Sequence, residues 1–190
     1  LLAQLIYLGD PPISSLLCTP AGQFGDWTAD YRFYAADRAD PQPLFHEVRR
    51  GVEERLGETD PLVVALDDSL LRKRGRKIPG AAWRLDPLGP PFANTFVWAQ
   101  RVVQLSAVLP EGAEGAARTL PIDFVQAPTA TRPRKSAGED AWSTFREQQK
   151  QLNINRQAVA RVESLVEQRR AEGQPRPLWI VVDGRFTNRT

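Results

Sequence analysis

The chain has 190 residues, enough for one domain with a substantial core and a small additional region. Its net charge is only +2, so it is not a polycation, and any nucleic-acid binding depends on how its 25 Lys and Arg residues cluster. A lone cysteine, Cys18, excludes an internal disulfide, and with a single histidine, His46, a Cys/His zinc site is nearly excluded. We interpret both residues as structural. The cysteine usage suits a reducing cytoplasm, and no apolar run approaches the ~20 residues of a membrane span.

Residues 1–58 are predicted to form a small, mostly helical N-terminal region, and residues 59–190 the first part of a second domain. The clearest helix of the first region is 43–57, where apolar residues recur at spacings of three and four. The stripe consists of Leu44, Phe45, Val48, Val52 and Leu56. The chain contains no methionine, which suggests a part of a longer protein.

The second region begins with three predicted strands. Residues 62–66 are wholly apolar, which is typical of a buried central strand, and they end at Asp67-Asp68. The segment 72–91 is basic and then rich in Gly and Pro, so we expect mostly loop. Residues 95–108 form a long β-prone run, and residues 120–125 form a shorter one.

One long helix and a last strand follow. The helix is predicted over 139–171, with a seven-residue apolar recurrence, and Gly173 ends it. Its stripe consists of Phe145, Leu152, Val159 and Val166. Residues 178–182 are again wholly apolar and are followed directly by Asp183.

The order strand, strand, strand, helix, strand predicts an α/β fold with a ribonuclease H-like mixed sheet, here incomplete. In that fold three antiparallel strands precede a helix, and the fourth strand lies parallel beside the first. A right-handed crossover through the helix makes strands 62–66 and 178–182 neighbours. Their carboxyl ends then meet at one edge, where open α/β sheets place their sites.

Two strands ending in Asp at one edge place two carboxylates within reach of one hard cation. Mg²⁺ prefers oxygen ligands and is usually held by one or two carboxylates plus substrate phosphate. Two such ions can hold the attacking and leaving oxygens of an in-line displacement at phosphorus. An Asp after a buried strand is also often only a turn residue or a helix N-cap, so this alternative stays open for each aspartate.

Several longer words in the chain resemble bacterial insertion-sequence transposases with a DDE endonuclease domain. The resemblance covers roughly residues 60–190. The words are VVALDDSLLRKRGRKIPG at 63–80, RLDPLGPPF at 84–92, WAQRVVQLS at 98–106, AARTLPIDF at 116–124, QQKQLNINR at 148–156 and VVDGRFTN at 181–188.

This resemblance implies two catalytic and metal-binding residues. Asp68 matches the first catalytic aspartate and Asp183 the second, whereas the side chain of Asp67 is expected on the opposite face of the strand. The family's third acid is a Glu on a later helix, and the acidic residues of 139–171 all precede Asp183. We therefore expect this chain by itself to nick DNA poorly.

Basic residues near the two aspartates are candidate DNA contacts. Five cations come soon after Asp68, and they would hold phosphates without reading sequence unless they are simply a solvated loop. They are Arg72, Lys73, Arg74, Arg76 and Lys77. Arg185 comes after Asp183 in the same way. Trp83 and Trp98 are either core aromatics or stacking platforms for an unpaired base.

The resemblance implies a transposase that cuts and rejoins DNA at transposon ends and target, with Mg²⁺ as cofactor, Mn²⁺ as its substitute, and a homodimer on DNA as a further expectation. The alternative is a non-catalytic DNA-binding or regulatory protein derived from a transposase. A ribonuclease H-like nuclease without strand transfer also remains open, because two Asp motifs do not exclude it.

Overall fold

The computed structural model describes Thr28, Ala29, Arg32 and residues 40–90, 92–110, 116–184 and 186. The chain divides into two compact units, Leu1–Pro41 and Gln42–Thr190. Cys18 and nearly all of the first unit lie outside the described residues. The predicted domain boundary between residues 58 and 59 stays a prediction, although the helix that precedes it belongs to the second unit.

From residue 40 onward, the described part of the chain is an α/β structure with three helices and five strands. No helix among the described residues is long and apolar enough to cross a membrane. In chain order the elements are α1 (Gln42–Glu53), β1 (Leu62–Arg72), β2 (Ala81–Leu85), β3 (Phe96–Leu109), β4 (Arg118–Gln126), α2 (Glu139–Gln151), α3 (Ile154–Ala171) and β5 (Leu178–Val182).

The five strands form one open mixed sheet with β3 at its centre. On one side β3 pairs antiparallel with β1, and on its other side it pairs antiparallel with β2 and β4, which lie end to end. The other edge of β1 pairs with β5, and this pairing is parallel. The predicted adjacency of the first and last strands is therefore confirmed, as is their parallel direction.

The core lies between the sheet and the helices α1 and α3. Leu62 and Val64 of β1 are fully buried, and Leu105 of β3 and Val52 of α1 are 1% exposed. Leu165 of α3 joins the same cluster. Burying such a side chain contributes about 1.5–3 kcal/mol, which explains why the wholly apolar run 62–66 is found here. We call this side of the sheet the helix-bearing face.

One prediction about the first strands is wrong, because strand β1 continues through Asp67 and Asp68 to Arg72. The described residues of 72–91 are mostly loop, as predicted, but they also contain strand β2, which was not predicted. The reason is non-local: β3 is long enough to pair with β1 as far as Arg72 and with all of β2. Their backbone groups thus gain partners that the local sequence does not reveal.

The predicted single helix 139–171 is also wrong, because it is two helices. The break falls at Leu152 and Asn153, and the Asn153 side chain caps α3 by accepting a hydrogen bond from the Asn155 N–H at 2.8 Å. The break changes which residues face the sheet: Val159 is 53% exposed, whereas Ala158 is 3% exposed.

The C-terminal end of α3 is as predicted. Gly173 has a φ of 67°, a left-handed conformation that glycine adopts without strain. Its N–H bonds to the Arg170 carbonyl at 3.1 Å, and the Gln174 N–H bonds to the Arg169 carbonyl at 3.0 Å. This pair of bonds is the Schellman motif, which turns the chain toward β5.

Candidate functional site

The two predicted catalytic aspartates line one cleft. The parallel register of β1 and β5 ends with Leu66 opposite Val182, so Asp67 and Asp68 come next on one strand and Asp183 comes next on the other. All three carboxylates line a cleft of about 930 Å³. The predicted gathering of Asp68 and Asp183 at one sheet edge is thus present in the structure.

Neighbouring aspartates on β1 lie on opposite faces of the sheet. Asp68 pairs with Val103 of β3, which places it on the helix-bearing face with Leu66, and its side chain is only 6% exposed. Asp67 pairs with Gln104 on the other face and is exposed, and its Oδ1 accepts the Asp68 N–H at 2.8 Å. Of the two neighbouring aspartates, therefore, only Asp68 has a buried side chain in the cleft wall.

Two arginines share the helix-bearing face with Asp68. Arg101 of β3 lies opposite Leu70, and its Nε is 3.4 Å from the Asp68 Oδ2. Arg84 of β2 is 5% exposed, lines the same cleft, and donates from Nε to the Ala99 carbonyl at 3.2 Å. Burial lowers the pKa of Arg84 below the ordinary arginine value, Arg101 lowers it further, and Asp68 acts in the opposite direction.

Sequence reasoning missed both arginines. Arg84 falls in a segment predicted as loop, and Arg101 falls inside an apolar strand with buried Val102 and Val103 after it. The sequence did contain one signal for Arg101. Side chains of a strand alternate between its two faces, so a charged residue at an inward-facing position of a β-prone run needs a partner. The partner of Arg101 is identified only by the strand register.

The basic segment begins where β1 ends. Arg72 is the last residue of the strand, roughly 13 Å beyond Asp68 at the usual rise per residue. Its Nη2 contacts the Asp86 Oδ2 at 2.7 Å, and both residues line the cleft. Lys73 is half-buried, and the remaining cations are exposed in the loop before β2. These exposed cations are Arg74, Arg76 and Lys77.

The loop that carries these cations is held by the sheet. The Trp98 Nε1 donates to the Gly75 carbonyl at 2.9 Å, and the Gln100 Nε2 donates to the Pro79 carbonyl at 2.7 Å. Trp98 also packs edge-to-face on Trp83, with ring centroids 5.8 Å apart. Trp98 therefore has a structural role, whereas Trp83 is 68% exposed and lines the cleft.

Asp183 stands at the turn after β5. Its backbone carbonyl accepts the Phe186 N–H at 3.2 Å, and Phe186 packs against the core. The chain therefore bends immediately after the strand, which brings Asp183 to the cleft. Arg185 lies outside the described residues, so its predicted DNA contact stays a prediction.

The cleft contains carboxylate oxygens, which are the type of donor atom that hard cations prefer. Within the described ranges no group of three or more His, Cys, Asp or Glu residues is arranged to hold a metal ion. Two carboxylates with completion by substrate phosphate remain a known arrangement for Mg²⁺. Asp68 and Asp183 could supply these carboxylates, and the contact of Asp68 with Arg101 would then have to change.

No protein-family model, curated protein or solved structure matches this chain. The geometry of the cleft and the sequence motifs of residues 60–190 are therefore the features that bear on function.

Proposed function

We propose that this chain supplies two of the three catalytic carboxylates of a DDE transposase, an enzyme that cuts and rejoins DNA at the ends of an insertion sequence. One observation carries the proposal. Strands β1 and β5 pair in parallel, and Asp68 and Asp183, which follow the paired residues of the two strands, both line one cleft. The proposed place of action is the bacterial cytoplasm, on the DNA of the nucleoid.

The strand order supports a ribonuclease H-like core as part of this proposal. Strands β1, β3 and β4 are antiparallel neighbours that precede α2 and α3, and β5 then lies parallel beside β1. Strand β2 is an addition to that order and pairs with the first half of β3. The addition extends the cleft wall beyond Asp68, because Trp83 and Arg84 of β2 both line it.

Asp68 and Asp183 are the residues that would hold Mg²⁺, or Mn²⁺ in its place. When bound, such an ion lowers the pKa of an attacking water or 3′-hydroxyl and stabilises the leaving oxygen. The chain's own contribution is placement. Asp68 is fixed by its pairing with Val103 of β3, and Asp183 by the turn that anchors Phe186. Such placement matters, since ~1 Å of error can cost on the order of 100-fold in rate.

The basic segment would bind the DNA backbone beside this site. Four of its five cations are exposed, and three of these lie on a loop that is tied to β3 by the Trp98 and Gln100 hydrogen bonds. Cations on a fixed loop lose less conformational freedom on binding than cations on a free segment. Phosphate contacts of this kind fix the register of a duplex without reading its sequence.

A second candidate is a non-catalytic DNA-binding protein derived from a transposase. The contact between Arg101 and Asp68 favours it, because a carboxylate beside a guanidinium is less available to a cation. Metal binding separates the two candidates, since only the enzyme needs Asp68 as a ligand.

The experiment is a titration of the purified chain with Mn²⁺, monitored by electron paramagnetic resonance, in the presence of a short DNA duplex. We expect a bound ion in the wild type and its loss in both Asp68→Asn and Asp183→Asn. Asp140→Asn is the control, since Asp140 is exposed in the first turn of α2 and does not line the cleft. Equal Mn²⁺ binding by all four proteins would overturn the proposed metal site.

Cleavage is tested separately with supercoiled plasmid and Mg²⁺ or Mn²⁺. Because the resemblance implies a third carboxylate, we expect the chain to nick plasmid no faster than its Asp68→Ala variant. In a protein that supplies all three acids, Asp68→Asn and Asp183→Asn should abolish cleavage, while Asp67→Asn should be milder because Asp67 lies on the other face. A greater loss in Asp67→Asn than in Asp68→Asn would contradict the assignment.

A further inference from the structure

The parallel pairing of β1 with β5 ends just before the aspartates. Its last paired residues are Leu66 and Val182. Beyond them β1 continues to Arg72, whereas β5 is followed by the turn that begins at Asp183. Asp68 therefore lies on a part of β1 that is paired with β3 on one side but is not paired with β5 on the other.

The backbone N–H of Asp68 points to the β5 side of β1. Along a strand, backbone N–H groups alternate between its two edges. The Leu62 N–H donates to the Pro177 carbonyl, next to β5, at 2.8 Å, and the Lys73 N–H donates to the Trp98 carbonyl of β3 at 2.8 Å. The pairing of β1 with either neighbour contains no bulge. The even-numbered residues of β1, including Asp68, thus direct their N–H groups toward β5.

The side chain of Asp67 supplies an acceptor on this side. Its Oδ1 accepts the Asp68 N–H at 2.8 Å. A parallel ladder that continued in the same register would offer this N–H the carbonyl of Asp183, whereas that carbonyl accepts the Phe186 N–H of the turn at 3.2 Å. Because a backbone N–H needs an acceptor wherever its ladder stops, Asp67 completes the hydrogen bonding of β1 at the residue that enters the cleft.

A hydrogen bond of the same kind accompanies an irregularity elsewhere in the sheet. The pairing of β3 with β4 shifts its register between Leu105 and Ser106. Close to that shift, the Asp123 Oδ1 accepts the N–H of the next residue, Phe124, at 2.9 Å. In both places an aspartate serves the following N–H where the regular ladder is interrupted.

We propose that Asp67 is a positioning residue for Asp68, and that it acts as a hydrogen-bond acceptor rather than as a charge or a metal ligand. The inference rests on the proposed function, in which Asp68 holds the cation. Mg²⁺ demands near-octahedral geometry, so a carboxylate binds it best from a backbone that is held on both edges. Asp67 thereby acts on the metal site although its own side chain is exposed and on the opposite face.

The first test measures amide hydrogen exchange of Asp68 by NMR in the metal-free chain. Asp67→Asn keeps a carbonyl oxygen that accepts the N–H, whereas Asp67→Ala removes the acceptor. After correction for intrinsic rates, exchange in Asp67→Asn should match the wild type. Exchange in Asp67→Ala should be about twofold to tenfold faster, the range for loss of one hydrogen bond. Equal protection in Asp67→Ala and the wild type would overturn the proposal.

The second test repeats the Mn²⁺ titration by electron paramagnetic resonance with the short DNA duplex. Asp67→Asn loses only charge, so its Kd for Mn²⁺ should rise by no more than about threefold. The Kd of Asp67→Ala should be about twofold to tenfold above that of Asp67→Asn. Ser69→Ala is the matched control and should bind as the wild type does, because Ser69 is the next exposed residue on the same face and lines the same cleft.

Rescue by asparagine separates positioning from the other roles of a carboxylate. Equal Mn²⁺ affinities of Asp67→Asn and Asp67→Ala would show that the acceptor is irrelevant. Loss of the bound ion in Asp67→Asn would make Asp67 a metal ligand. Either result contradicts the proposal. Circular dichroism and urea unfolding establish that both variants are folded, and neither change leaves a buried cavity because Asp67 is exposed.

The outcomes distinguish this inference from the function on which it rests. Mn²⁺ binding by the wild type, with equal affinity in Asp67→Ala, overturns the positioning role alone. A wild-type chain that binds no Mn²⁺ overturns the metal-dependent enzyme. In that case the exchange of the Asp68 amide still decides whether Asp67 holds the backbone, since that measurement needs no metal.

Discussion

Two groups of charged side chains in this molecule differ in the length of their ion pairs and in what surrounds them. The helix-to-helix network joins α1 to the end of α3 through Arg49, Glu53, Arg169 and Glu172. It contains equal numbers of guanidinium and carboxylate groups. Glu53 accepts from Arg49 at 3.1 Å and from Arg169 at 3.0 Å. In the cleft, the Arg101 Nε lies 3.4 Å from the Asp68 Oδ2, and buried Arg84 donates to the backbone carbonyls of Ala99 and Gly80. Short ion pairs shared between two elements indicate a structural role for the network, whereas the cleft charges line a solvent-accessible site.

Removing the central carboxylate of the network should give the largest loss of stability. Glu53→Ala leaves Arg49 and Arg169 buried without that partner, and breaking such a group costs about 3–5 kcal/mol. Urea unfolding monitored by circular dichroism measures the loss. Glu54→Ala, an exposed carboxylate at the same helix end, should cost less than about 0.5 kcal/mol. Similar losses in the two variants would remove the contrast between the network and the cleft.

Neutralising the basic segment should have the largest effect on DNA binding. The change replaces Arg72, Lys73, Arg74, Arg76 and Lys77 by Gln. Every phosphate contact that the change removes should lower the salt slope of duplex binding by ~0.9, and the loss of affinity should be similar for unrelated sequences. Anisotropy over a salt series measures the slope. A wild-type slope in the variant would mean that the segment is a solvated loop.

Removing a cleft arginine should cost the fold little. Arg101→Gln leaves buried Arg84 on the same face as a nearby cation for Asp68, so the free energy of unfolding should fall by no more than about 1 kcal/mol. Arg169→Gln deletes a fully matched partner of Glu53 and should cost roughly 3 kcal/mol. Urea unfolding of the two variants side by side tests this. An equal loss would show that Arg101 is as structural as Arg169.

The smallest expected effect is on the pH dependence of stability. Burial acts to raise the pKa of Glu172, but hydrogen bonding and charge of Arg49, and then of His46, outweigh it and hold the pKa below its usual range. The stabilisation from Glu172 is therefore present above the ordinary glutamate pKa and is lost as pH falls through the lowered folded pKa. In the Glu172→Gln variant this loss of stability at acid pH, which is about 1 kcal/mol or less, should be absent.

Measurement of the Glu172 effect uses urea unfolding of both proteins from neutral to acid pH. Glu167→Gln, an exposed carboxyl on the same helix, is the control and should keep the wild-type acid dependence. If Glu172→Gln loses stability on acidification as steeply as the wild type does, Glu172 is not held in its charged form by the network.

Strand β1, which carries Asp68, shows how much of the structure could be predicted from the sequence. Five consecutive apolar residues after Pro61 predicted a buried strand, and Leu62–Leu66 is buried or half-buried between β3 and β5. The sequence did not predict that the strand continues to Arg72, because residues 67–72 are mostly polar or basic and their partners come from β3, roughly thirty positions away. Local propensity is a weak guide where pairing is non-local.

The helical segment shows the same limit at shorter range. Gly173 correctly marked its end, since a left-handed residue after the last turn is a local requirement. The seven-residue apolar recurrence, however, assigned Val159 to the buried face, and it is exposed. Asn153 separates the two helices and caps the second of them. Apolar periodicity does not distinguish such a cap from an ordinary residue inside one long helix.

The sequence by itself determined which segments are strands or helices in the apolar regions and that an aspartate comes after each of two buried strands. Those properties depend on near neighbours: the run of side chains, the cap and the turn. Only the tertiary structure decided that Asp68 faces Arg101 and that Arg84 lies buried in the same cleft wall. The physical reason is strand register, because a shift of one residue in the pairing of β3 with β1 would move Arg101 to the other face of the sheet, away from Asp68.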